Sequence, residues 1–66
     1  MNITEIKRQV DRGLKEAQES GFVSMYPTDE ELCDKADLIL GGIPEIDYYS
    51  EKNYQDAQEY LISLAE

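Results

Sequence analysis

Tyr48-Tyr49-Ser50-Glu51-Lys52-Asn53-Tyr54-Gln55-Asp56-Ala57-Gln58-Glu59-Tyr60-Leu61-Ile62-Ser63-Leu64 sets its apolar residues at helical spacing. Tyr54, Ala57, Leu61 and Leu64 recur at intervals of three, four and three, which is one face of a helix and not the alternation of a strand. Asp47 or Ser50 can cap it, and with Ser50 as the cap Glu51 falls in the first turn, where the helix dipole favours a negative charge. Tyr60, Ile62 and Ala65 flank the apolar face. The spacing predicts an amphipathic helix near 51–65, with one side for a small core and an outer side of tyrosines among carboxylates.

The residues before it supply partners for that face. Ile43-Pro44-Glu45-Ile46-Asp47 is a linker whose two isoleucines are expected to pack back on the core. Thr28-Asp29-Glu30-Glu31-Leu32 has a capping residue three positions before a glutamate, a helix start, and its acids crowd the positive end of the dipole. Leu32, Cys33, Ala36, Ile39 and Leu40 then share one side, with Leu38 off it, and Gly41-Gly42 stops the segment. The predicted helix is 29–40. Phe22-Val23-Ser24-Met25-Tyr26-Pro27 reads as an apolar connector in which Phe22 and Met25 plug the end of the core.

Nearest the N-terminus, Asn2 or Thr4 caps a helix whose stripe is Ile3, Ile6, Val10, Leu14 and Ala17. Gly13 lies beside the stripe, either as a weak spot or as a place for close approach. Ser20-Gly21 ends the segment, since glycine takes the left-handed C-terminal position without strain. Helices near 3–20, 29–40 and 51–65, joined by short connectors, predict one all-α domain over residues 1–66, a compact three-helix bundle.

A chain of 66 residues buries only about 60% of the surface that its unfolded form exposes, so its stability is marginal without support. Cys33 is its one cysteine, and there is no histidine, which rules out an internal disulfide and leaves too few thiolate or imidazole ligands for zinc. A lone cysteine, no signal-like apolar run and no stretch of membrane-spanning length predict a cytoplasmic protein.

Charge is the strongest compositional feature. Fifteen acidic residues oppose six basic ones, a formal net of −9. Residues 1–15 carry Lys7, Arg8, Arg12 and Lys15 against Glu5 and Asp11, and the remainder sets Lys35 and Lys52 against every other carboxylate. Such a chain repels phosphate backbones, so direct nucleic-acid binding is not expected. It attracts basic protein surfaces, and the same acidity also serves solubility.

Catalytic constellations are absent from the pattern. Nucleophilic catalysis of the serine or cysteine type wants a base, usually histidine. Cys33, on an apolar side among acids, reads as an inert core thiol. Asp29-Glu30-Glu31 lacks the alternating ligands and the glycine of a calcium loop. No enzyme, cofactor or metal site is therefore expected.

The expected activity is interaction. Tyrosine joins apolar area to a polar tip and is enriched where interfaces bind tightly. Carboxylates can stand where phosphates would, and tyrosine can stack a guanidinium. The partner-binding set drawn from these arguments is Asp47, Tyr48, Tyr49, Glu51, Asp56 and Glu59, with Glu30, Asp34 and Asp37 as a second acidic patch. The partner is a basic groove on a larger, nucleic-acid-handling protein, blocked by mimicry of nucleic acid. Size and charge are shared with many small proteins of phages and mobile elements that inhibit host machinery. The alternative is a homo-oligomeric structural or regulatory module, for instance a homodimer, with Gly13, Leu38 and Ile62 at its interface.

Overall fold

The computed structural model describes residues 2–43, 46 and 51–65. Three helices pack against one another: α1 (Ile3–Glu19), α2 (Asp29–Gly41) and α3 (Glu51–Ser63). No strand occurs among the described residues. The expected ends, 20, 40 and 65, shift to 19, 41 and 63, within the fraying normal to helix termini. The proposed caps of α3, Asp47 and Ser50, lie outside the described residues.

Local chemistry explains the helix ends. Asn2 caps α1, its side-chain oxygen accepting from the Glu5 N–H at 2.9 Å. At the other end the Gly21 N–H donates to the Gln18 carbonyl and the Phe22 N–H to the Ala17 carbonyl. That paired closure requires a left-handed residue, and Gly21 supplies it at φ 84°. Thr28 caps α2 by accepting from the Glu31 N–H at 3.1 Å.

The core is the meeting of three stripes. Ile6, Val10 and Leu14 come from α1, Leu32, Ala36, Ile39 and Leu40 from α2, and Ala57 and Leu61 from α3. Ile43 and Ile46 close it from the α2–α3 linker, both buried as their pattern predicts. Ile3, in the first turn of α1, remains exposed. Tyr54, expected as a core residue, is half-buried: its ring packs on the core while its hydroxyl reaches the surface.

Two expectations fail. Phe22 and Met25 do not plug the core but stand 40% and 63% exposed, and Val23, at 2%, fills the position instead. The turn at Gly21 reverses the chain so that the second residue after it, not the first, points inward; Pro27 is buried at the far end of the loop. Cys33 is exposed and not a core residue. It sits one step around the helix from Leu32, and that step of about 100° carries it past the buried arc.

Candidate interaction surface

α3 is fastened to both other helices by its tyrosines. The Tyr60 hydroxyl donates to Asp11 of α1 at 2.7 Å, and Lys7 lies 5.4 Å from the Tyr60 ring centre. The bond to the Asp11 carboxylate, with partial desolvation, holds the Tyr60 phenol above its ordinary value. The Tyr54 hydroxyl donates to Asp37 of α2. These two rings therefore serve the packing of α3, and Asp37, assigned to the second acidic patch, is engaged by Tyr54.

The remaining sequence-derived residues divide by element. Glu51 and Glu59 are exposed on α3 and Asp56 is half-exposed there; Glu30 and Asp34 are exposed on α2. Asp47, Tyr48 and Tyr49 lie outside the described residues. Of the proposed oligomer residues, Gly13 and Leu38 line one hollow of about 260 Å³ between α1 and α2, while Ile62 is half-buried on α3 and does not line it.

Few of the described carboxylates are paired with a cation of the chain. Among the described residues one ion pair forms, Arg8 with Glu5, and it lowers the Glu5 carboxyl below its ordinary value. Glu30, Asp34, Glu51, Asp56 and Glu59 have no ion pair or hydrogen bond of their side chains among those residues.

Sequence reasoning passed over the α1–α2 loop as a surface. Met25 and Tyr26 project from it, Tyr26 being 77% exposed. Hydrogen bonds hold the backbone beneath them. Glu31 accepts from the Ser24 N–H at 2.9 Å and from its hydroxyl at 2.6 Å, so its carboxylate latches the loop in place of the Thr28 backbone. Those bonds, the hydroxyl's first, lower the Glu31 carboxyl. Gln18 donates to the carbonyls of Ser24 and Met25 at 3.1 and 3.4 Å. Lys35 donates to the Phe22 carbonyl, its ammonium 4.9 Å from that ring's centre. The signal was present in the sequence as an uninterrupted absence of cations from residue 16 to residue 34 around the apolar connector.

Cys33 donates to Asp29 at 3.8 Å. Partial desolvation, then the neighbouring Asp29 carboxylate, raises its thiol above the ordinary value. No group of three potential metal ligands converges among the described residues, and none of the helices described is long and apolar enough to cross a membrane.

Fold and surface thus define a small, acidic, all-α protein with exposed carboxylates and a fastened apolar loop. Comparison with protein-family models, with curated proteins and with solved structures finds no match.

Proposed function

We propose that this is a non-enzymatic binding protein that occupies a basic groove on a larger, nucleic-acid-handling protein and blocks it by standing in for nucleic acid. One observation carries the reading: the exposed carboxylates Glu30, Asp34, Glu51 and Glu59 are not neutralised by cations of their own chain among the described residues. With a formal net charge of −9, their field extends outward to a partner. Tyr26 offers an exposed aromatic ring in the α1–α2 loop as a further contact. Its backbone is already fixed by neighbours, so less ordering is lost on binding.

The test starts with capture from lysate by the tagged protein at low and high salt, which identifies the partner. The deciding measurement is calorimetry on the purified pair. Glu51→Lys with Glu59→Lys is expected to weaken binding about tenfold or more and to flatten its salt dependence, with helical circular dichroism unchanged. Undiminished affinity in that variant and in Glu30→Lys with Asp34→Lys overturns the reading.

A further inference from the structure

We propose that the α1–α2 loop is a preformed apolar plug, Met25 and Tyr26 entering a hydrophobic recess on a partner protein whose rim carries lysine or arginine. The inference rests on the reading of this chain as a binding protein, but not on which helical carboxylates face the groove.

The plug is built outward from its anchors. Val23 and Pro27 are both buried, and the residues between them, Ser24, Met25 and Tyr26, are all exposed. Side chains of both flanking helices hold that short span. Gln18 of α1 donates to the carbonyls of Ser24 and Met25, and Glu31 of α2 accepts from the Ser24 N–H and hydroxyl. Lys35 of α2 donates to the Phe22 carbonyl just before it. Pro27 in turn restricts Tyr26 to extended geometry. A slack loop could fold Met25 and Tyr26 back over the bundle and bury part of them; these restraints hold them out in water. On a fixed backbone, an unbranched methionine adapts to an apolar recess, and a tyrosine ring brings a large contact area at the cost of two torsions. The Tyr26 hydroxyl makes no hydrogen bond among the described residues and is left for the partner.

The surroundings decide the occupant. Glu19 ends α1, and Asp29 and Glu30 begin α2; all are exposed, and none is in an ion pair among the described residues. No cation occurs from residue 16 to residue 34. Lys35, the first beyond that span, is turned onto the Phe22 carbonyl and ring. The plug is therefore apolar at its tip and acidic at its base, and its complement is an apolar recess with cations around the mouth. The same carboxylates repel phosphate backbones and anionic lipid surfaces. A second copy brings the same acidic base to the contact, like charge against like, so the loop does not suit self-association.

Photo-crosslinking with the tagged full-length chain tests it. Tyr26→p-benzoylphenylalanine is irradiated in lysate and the adduct is mapped by mass spectrometry. The expected result is one dominant adduct, formed within an apolar recess bordered by lysine or arginine. Excess wild-type chain suppresses it, and excess Met25→Ser with Tyr26→Ser does not. With that partner purified, calorimetry of the double variant shows affinity about tenfold or more lower and a less negative heat-capacity change, at unchanged salt dependence. Glu19→Lys, whose new cation suits a helix C-terminus, instead weakens binding and flattens its salt dependence. All three positions are exposed, so helical circular dichroism is kept.

Full affinity in the loop variant, with affinity lost in Glu51→Lys with Glu59→Lys, overturns the plug and leaves the groove reading standing; the converse pattern supports the plug alone. The plug also falls if no specific adduct forms, or if the double variant competes as well as wild type. It falls too if wild type, but not the double variant, sediments with phosphatidylcholine vesicles, which assigns the loop to a lipid surface.

Discussion

Gly21 and Gly13 are both glycines of α1 or its cap, yet their reasons differ. Gly21 carries a backbone requirement, φ 84°, with open space around its missing side chain. Gly13 has helical backbone and a crowded Cβ position, and its neighbour there is the terminal methyl of Ile43, at the edge of an open hollow. Gly21→Ala is therefore expected to destabilise by about 1–2 kcal/mol from left-handed strain alone. Gly13→Ala is expected to stabilise by up to about 1 kcal/mol, because the methyl can move aside and alanine is the better helix former. Urea denaturation of the two variants checks both signs. The role of Gly21 was legible in sequence, since its cause is local. That of Gly13 was not, because its neighbour comes from thirty residues away. The tyrosine–aspartate bonds share that property: Tyr54 and Asp37 are 17 positions apart, Tyr60 and Asp11 are 49.

At the scale of elements, the helices were legible and the loop was not. Ile6, Val10 and Leu14 are placed by period alone, and so are Ala57 and Leu61. In the α1–α2 loop no period operates, and residue size pointed to Phe22 and Met25 where the turn at Gly21 selects Val23. Thr28 and Glu31 matched a reciprocal capping pattern, but only the threonine half forms, because the glutamate reaches Ser24. The latch makes a pH prediction. Glu31 is lowered in the folded chain relative to its ordinary 4.5, so the unfolded chain binds its proton first as pH falls. The contribution is whole above pH 4.5 and is lost as pH drops through the lower folded value. Carbon-detected NMR should show the Glu31 carboxyl titrating below 4.5, and Glu31→Ala, which removes the acceptor, should abolish the protection of the Ser24 amide against hydrogen exchange at neutral pH.

For the whole molecule, the limit is size. The radius of gyration is 10.8 Å, that of a folded chain of this length, and among the described residues twelve buried apolar side chains make up the core cluster. Domains of this length have total stabilities of roughly 3–10 kcal/mol, and a buried leucine cut to alanine costs about 2–5 kcal/mol. Leu61→Ala, removing a fully buried side chain where α3 meets the other helices, should therefore leave a large fraction of the chain unfolded at room temperature, read by circular dichroism. Fold class was legible because three periodic stripes admit few arrangements. The interaction surface was legible only as charge, since which carboxylates stay unmatched depends on packing across helices. The tyrosine bonds that fasten α3 have one more consequence. The chain has no tryptophan, so its near-ultraviolet emission comes from tyrosine alone. An excited phenol is a far stronger acid than its ground state, and a carboxylate already accepting its proton quenches it. Tyr54 and Tyr60 are thus expected to be quenched while α3 is seated and to brighten when it lifts away, so a rise in tyrosine emission on undocking would serve as a label-free optical gauge of the third helix.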